Sequence, residues 1–331
     1  MKYDVYGIGN ALVDKEFEVT DDFLSAEGIE KGLMTLIDEA RHNHLLASLK
    51  QSFGLKKRAG GGSAANSIVA VSQFGGKTFY ACKVANDEFG EFYMQDLHAA
   101  GVDTRLDQVR SSSEGKTGKC MVMVTPDAER TMNTYLGITS DFSAAELHYE
   151  ELKQSKYLYV EGYLVTSDTS RAAVLEARKV AQEHGVKMAM TFSDPSMATY
   201  FKAGLAEMLG AGVDVLFCNQ EEAFAFTGQQ TLQAAIQSLK PLAHKLVITL
   251  GSEGALVVNS DNEVKIAAQK IKPLDTNGAG DMFAGAFLYG LTQGLSDVQA
   301  GTLASRAAAQ IIQVYGARLD KHVHQAILQS I

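Results

Sequence analysis

The chain is short of the features that mark several large function classes. Lys and Arg (30) are outnumbered by Asp and Glu (39), the formal net charge is −9, and basic residues cluster only at Lys56-Lys57-Arg58. Nucleic-acid binding rests on neutralising phosphates, so no such partner is expected. Cysteine is scarce. Cys82, Cys120 and Cys218 stand far apart, with neither metal-site spacing nor enough thiols for a disulfide framework. That usage suits a reduced, cytoplasmic setting. No window approaches the ~20 apolar residues of a membrane span, and the opening MKYDVYGIGNALVD has no apolar core of a signal peptide. The pairs His42/His44 and His322/His324 are two residues apart on expected helices. Such residues do not share a helix face, so solvated surface is expected there rather than a metal site. Two nucleotide fingerprints are also missing. No G-x-x-x-x-G-K-S/T occurs, which excludes a P-loop. Gly7-x-Gly9 follows a strand, but the third glycine of a dinucleotide fingerprint would fall at Leu12.

What is present is alternation. Short β-rich apolar runs at 3–9, 78–83, 157–160, 187–191, 213–218, 245–250 and 255–259 are separated by helical spacing at 64–74, 88–100, 170–184, 221–227 and 231–244. The tail adds helices at 282–292 and 297–315, the second with a small-residue face of Ala300, Ala304, Ala307 and Ala308. Repeated strand–helix–strand units predict an α/β fold: a mostly parallel central sheet covered by helices on both faces, a three-layer α/β/α domain. Residues 15–38 and 117–136 break the pattern. The second reads as two strands around a turn at Pro126-Asp127. Both are expected to form a small β-rich lid, with 1–14, 39–116 and 137–331 making the large domain.

Several stretches carry candidate chemistry, each with a plainer structural reading beside it. The strand end after Gly9 delivers Asn10 and Asp14 into a turn at the C-terminal edge of the sheet, where ligands bind in open α/β sheets. Asn10 could equally serve the turn itself, while Asp14 fits a hydroxyl acceptor. AGGGSAANS, 59–67, leads glycine-rich backbone into a helix with Ser63 as a plausible N-cap. It is either a flexible entry or a close approach of backbone to a ligand, with Asn66 able to serve a sugar diol. Asn219, Glu221 and Glu222 follow the strand VDVLF. Carboxylates there answer a helix dipole or a Mg²⁺ ion held through water. Between two strands, TLGSEGA (249–255) makes a hairpin turn whose backbone could line a nucleotide. Finally, DTNGAGD, 275–281, places glycines before an apolar helix. Such a helix start leaves N–H groups free for an anion, and Asp281 beside them is either a dipole partner or the base for an attacking alcohol.

Together these segments resemble the ribokinase-like, or PfkB, carbohydrate kinases over nearly the whole chain. The resemblance rests on GIGNALVD, GGGSAANS, Asn219-x-x-Glu222 and DTNGAGD followed by a small-residue helix. Within the family the chain is most similar to the adenosine kinase branch, through Asn277, the GNALVD start and a helical insert over 20–49. The resemblance implies that the α/β domain is Rossmann-like, and it implies transfer of the ATP γ-phosphoryl group to a primary hydroxyl. Asp281 would be the base, and Gly278, Ala279 and Gly280 the anion hole. Arg130, in the PDAER turn, would approach the phosphate. Asp14, Gly62 and Asn66 would hold ribose hydroxyls with Asn10 nearby. Nucleotide contacts would come from Asn219, Thr249, Gly251, Gly254 and Asn277. Glu222 with Asn219 would organise Mg²⁺ through water, and a monovalent cation such as K⁺ would sit near Asp275 and the 315–317 loop. The acceptor stays open between a nucleoside and a free sugar, because Tyr163-Leu164 stands where related kinases carry an aromatic pair and the 59–62 loop has an extra glycine. A small-molecule substrate, no membrane, and a monomer or homodimer complete the expectation.

Overall fold

The computed structural model describes residues 1–109, 115–260 and 262–330. In chain order the strands are β1 (Tyr3–Ile8), β2 (Leu12–Glu18), β3 (Met34–Leu36), β4 (Leu55–Gly61), β5 (Thr78–Ala81), β6 (Gly118–Val124) and β7 (Arg130–Tyr135). They continue with β8 (Ser155–Glu161), β9 (Lys187–Thr191), β10 (Val213–Asn219), β11 (Ala243–Thr249), β12 (Ala255–Val258) and β13 (Glu263–Ile266). Eight of them form one sheet in the order β13-β12-β11-β10-β9-β8-β1-β5. From β5 to β11 every pairing is parallel, and only β12 and β13 run antiparallel.

Burial explains why these strands read as continuous apolar runs. Successive side chains leave a strand on opposite faces, and helices cover both faces of this sheet. Val5, Tyr159, Val215 and Val247 pack with the helices Ser63–Gln73, Glu88–Ala99, Ala279–Thr292 and Asp297–Ile311. Their neighbours Tyr6, Leu158, Leu216 and Leu246 face the helices Asp168–Glu183, Lys202–Leu209 and Leu232–Leu239. The result is a three-layer α/β/α domain, as the alternation predicts. Among the described residues no helix is long and apolar enough to cross a membrane.

The other five strands form a second sheet, β3-β7-β6-β2-β4. The alternation in β6 assigns its two faces. Met121 and Met123 join Phe17, Leu45 and Leu49 under the helices Asp21–Ala26 and Glu39–Ser52, whereas Cys120, Val122 and Val124 lie on the opposite side with Leu12 and Met132. This sheet draws on more of the chain than residues 15–38 and 117–136. β2 begins at Leu12, the helix Glu39–Ser52 packs against the sheet, and Leu55–Gly61 pairs antiparallel with β2. The basic Lys56-Lys57-Arg58 and the glycines hide the β4 pattern from sequence reading, because a strand on a sheet edge need not be apolar.

Other boundaries shift for local reasons. The helix expected over 231–244 stops at Leu239, because Pro241 lacks the N–H a helix needs and disfavours helical geometry before it. The last long helix ends at Ile311 rather than 315. One histidine of each pair is buried instead of solvated: His42 at 2% and His324 at 1% exposure. His324 meets the Phe74 ring edge-on at 4.7 Å. The expectation failed because opposite helix faces differ, so one member of each pair turns inward. All three cysteines are free and buried.

Candidate active site

A cleft of about 500 Å³ runs between the C-terminal edge of the large sheet and the inner face of the small one. At its base the helix Ala279–Thr292 begins. Gly278, the N-cap, has φ +74°, and a Cβ there would come within 2.5 Å of the Ala317 Cβ. Only glycine makes that turn without strain. The Ala279 N–H donates to the Thr276 carbonyl at 3.3 Å and the Met282 N–H to the Gly278 carbonyl at 2.8 Å. The amides of Gly280 and Asp281 have no acceptor among the described residues. Of the three amides expected to face an anion, 278–280, only that of Ala279 is used inside the turn, and the Asp281 amide is unpaired beside them. Gly280 borders the cleft, and nothing lies within 4 Å of where its Cβ would be.

Asp281 projects from the same turn into the cleft. Ser63 Oγ donates to its Oδ1 at 2.6 Å and Asn66 Nδ2 to its Oδ2 at 2.9 Å. Burial pushes the Asp281 carboxyl above its usual range, while those two hydrogen bonds and the charges of Arg130 and Arg318 pull it back. Ser63 is the first helical residue after the N-cap Gly62 rather than the cap itself. The Gly62 φ of +98° turns the chain where a Cβ would meet the Asn10 carbonyl at 2.2 Å. Its hydroxyl is thereby free for Asp281.

Asp14, expected to meet a hydroxyl, lies on β2 and not in a turn. A Cβ on Gly61 would collide with the Asp14 carboxylate at 2.1 Å, so the glycine loop makes room for that side chain. Asp14 Oδ1 is buried with no partner in the protein, and burial raises its pKa to about 7. Asn10, Gly62 and Asn66 also border the cleft.

Of the residues expected to meet a nucleotide or its phosphates, Arg130, Asn219, Glu222, Thr249, Gly251 and Asn277 all face the cleft. Asn219 and Glu222 form a capping box at the start of the helix Gln220–Thr227: Asn219 Oδ1 accepts the Glu222 N–H at 2.7 Å, and Glu222 Oε2 accepts the Asn219 N–H at 3.0 Å. Burial pushes the Glu222 carboxyl up to about 8. Gly254 does not reach the cleft. It closes the turn Gly251–Glu253 against Ile266, whose carbonyl lies 2.0 Å from a Cβ position. Asp275 is also outside it, because its oxygens accept the Asn277 and Gly316 amides at 2.8 and 2.9 Å. Among the described residues no group of three or more His, Cys, Asp or Glu side chains is placed to hold a metal ion.

Three residues escaped sequence reading. Glu161 ends β8, and its carboxylate accepts the Asn10 N–H and the Ala64 N–H, each at 2.7 Å, with its pKa raised by burial to about 7. It ties the first loop to the glycine loop. An acidic residue ending an apolar strand at the sheet's C-terminal edge is a readable signal, the same one that pointed to Asn219. Asp194 borders the cleft while capping the helix Pro195–Tyr200, and its charge acts on Arg130. Ser193 before it holds φ +73°, a strained backbone for a non-glycine residue. Arg318 sits behind Asn66 and had no pattern to mark it.

An unpartnered Asp14 oxygen at the cleft, a carboxylate beside free amides, and an arginine with two more carboxylates suit phosphoryl transfer to an alcohol. The profile of the pfkB family carbohydrate kinases matches residues 34–323 of this chain. The chain belongs to that family. A solved adenosine kinase from Sinorhizobium meliloti is 35% identical, covers all of both chains and superposes with a TM-score of 0.94. A probable sugar kinase from Rhizobium etli CFN 42 is 32% identical over 99% of this chain and 98% of its own, also at 0.94. The adenosine kinase of Saccharomyces cerevisiae is 29% identical over 309 residues, 87% of this chain and 88% of that protein. This pfkB kinase is thus a phosphotransferase with an alcohol group as acceptor, on the ribokinase-like fold.

Proposed function

We propose that this pfkB kinase transfers the γ-phosphoryl group of ATP to the 5′-hydroxyl of a ribofuranosyl nucleoside, adenosine first. The observation that carries the reaction is the Asp281 carboxylate at the mouth of the helix Ala279–Thr292, beside the unpaired amides of Gly280 and Asp281. The acceptor hydroxyl gives its proton to Asp281 as its oxygen forms a bond to the γ-phosphorus. The bond from that phosphorus to the β,γ-bridging oxygen breaks and ADP leaves. The raised pKa brings the carboxylate nearer to neutral, where a base is most effective. The Gly280 and Asp281 amides meet the charge on the equatorial oxygens, and Arg130 faces them from the small sheet. Asp14 accepts a ribose hydroxyl, and Glu161 holds the loop from which Asn10 is presented.

Glu222 and Asp194 fit a Mg²⁺ ion held mainly by phosphate and water, since two buried carboxylates border the cleft but no protein cage exists among the described residues. When bound, the ion neutralises phosphate charge. A monovalent cation such as K⁺ would sit by Asp275 and the 315–317 loop, since the two backbone amides that Asp275 accepts leave lone pairs free on its carboxylate. A nucleoside is favoured over a free sugar by the wall that the small sheet turns to the cleft: Leu12, Met34, Leu36, Met132 and Leu136. An apolar wall of that width suits a planar base and leaves a free sugar's hydroxyls unpaired. The test is a coupled ADP-release screen across nucleosides, ribose and fructose. Adenosine as the best acceptor supports the reading, and turnover of a free sugar with none of any nucleoside overturns it.

A further inference from the structure

We propose that Arg318 is a positioning residue for the transfer, acting through Asn66 on Asp281. This rests on the reading of Asp281 as the base. The arginine lies in the loop after the helix Asp297–Ile311, and that loop is anchored by Lys57, whose Nζ donates to the Tyr315 and Arg318 carbonyls at 2.9 and 3.0 Å. Its side chain is 9% exposed, and Nη1 is paired with the Asp96 carboxylate. Gly60 leaves room for the pair, since a Cβ there would lie 2.5 Å from Asp96 Oδ2 and 3.1 Å from Nη1. Nε donates to Asn66 Oδ1 at 3.0 Å.

That last contact decides how Asn66 can behave. A carboxamide has one accepting and one donating end, and a guanidinium only donates. With its oxygen committed to Arg318, Asn66 can present only its NH₂ to Asp281, and Nδ2 does lie 2.9 Å from Oδ2. Without Arg318 only the carboxylate itself orients the amide, and each time the amide flips it sets an oxygen against Oδ2. Asp281 would then turn away from the attacking hydroxyl or take up a proton. Arg318 does not border the cleft, so its influence has to pass through Asn66 or through its charge, which also acts on Asp14 and Asp281. Asn66 is itself 5% exposed, so little else constrains its amide from solvent.

The test is a double-mutant cycle on kcat, with ATP and the acceptor identified by the screen both saturating. R318M is expected to lower kcat by about tenfold, the effect of one oriented hydrogen bond to a charged group, with the KM for ATP unchanged. In an N66A background the same change should cost clearly less than in the wild type, because the route through Asn66 is already cut and only the charge of Arg318 remains to be lost. Losses that multiply in the double variant would overturn the positioning role. If R318M gives no folded protein by circular dichroism, R318K replaces it in the same cycle, since a lysine cannot bridge Asp96 and Asn66 at once. D281N separates the two claims. Inactive D281N with multiplying losses removes only the role of Arg318, whereas D281N as active as the wild type removes the base and this inference with it.

Discussion

Ser63 and Asp281 are joined by a hydroxyl–carboxylate hydrogen bond of 2.6 Å across 218 residues of sequence. It ties the glycine loop, proposed to meet the acceptor, to the helix start proposed to meet the phosphate. A hydrogen bond to the charged form lowers a carboxyl pKa, so S63A should raise that of Asp281. The base is then protonated over a wider acidic range. The expected outcome is a kcat–pH profile whose acid limb moves to higher pH, with a few-fold loss at pH 6 and less at pH 8. An unmoved limb would separate the hydroxyl from the proton chemistry.

D281N removes the proton acceptor while keeping the shape. Loss of a general base costs about 10²- to 10⁴-fold in rate, whereas nucleotide affinity should hold. Fluorescence titration with a labelled ATP analogue checks the affinity, and the steady-state rate checks the base. The asparagine also meets the NH₂ of Asn66 that Arg318 holds in place, so a modest loss of Tm is expected as well.

For Asp14, the prediction concerns the acceptor alone. Its Oδ1 is buried without a protein partner and its pKa is about 7. In D14A the KM for the acceptor should rise about 10- to 100-fold, the range for a buried polar group left unpaired, with little change in the KM for ATP. In the wild type, kcat/KM for the acceptor should fall as pH drops below about 7, because the carboxyl then stops accepting hydroxyl hydrogens. Equal effects on both substrates would move Asp14 away from the acceptor.

Glu161 gives a stability prediction with a definite sign. Burial raises its pKa from the ordinary carboxyl value of 4.5 to about 7 in the folded chain. Between these values the native state binds more protons than the unfolded one, so stability falls as pH rises through that window and levels off above it. The slope from one such group is at most about 1.4 kcal/mol per pH unit. E161Q has no proton to lose. It should be less stable than wild type at pH 5, since one amide cannot accept both the Asn10 and Ala64 N–H groups, and the gap should narrow toward pH 8. Thermal denaturation at four pH values reads it, and a constant gap would contradict the shifted carboxyl.

The large sheet was legible because its strands are apolar on both faces and its helices keep a 3.6-residue period. The DTNGAGD turn was legible too, since glycines before an apolar helix have few other uses. Less could be read where function depends on residues far apart in sequence. Arg318 holds a side chain 252 positions away, which leaves no local pattern, and the strand-end position that marks Glu161 does not show which two backbone amides it accepts. The small sheet was half visible. The β6–β7 hairpin shows in its alternation, but β4 is polar and glycine-rich because it pairs on one side only and one end of it makes room for Asp14. Gly254 misled for the opposite reason: a glycine in a turn beside a ligand-facing strand serves the turn first.

Two glycines two residues apart should respond in opposite ways to the same added methyl. At Gly278 the backbone is left-handed, which costs an L-residue roughly 1–2 kcal/mol, and the methyl would press on Ala317 at 2.5 Å. G278A should therefore lose several degrees of Tm and much of its activity through a distorted turn. At Gly280 nothing stands within 4 Å, and the residue lies in the first turn of a helix where alanine is favoured by up to about 1 kcal/mol. G280A should keep or raise the Tm. Its methyl, however, points into the space where phosphate oxygens must approach the free amides, so kcat should fall sharply with the fold intact. Differential scanning calorimetry beside steady-state kinetics distinguishes the two variants. A fully active G280A would show that the transferring phosphoryl group does not pass over this helix start.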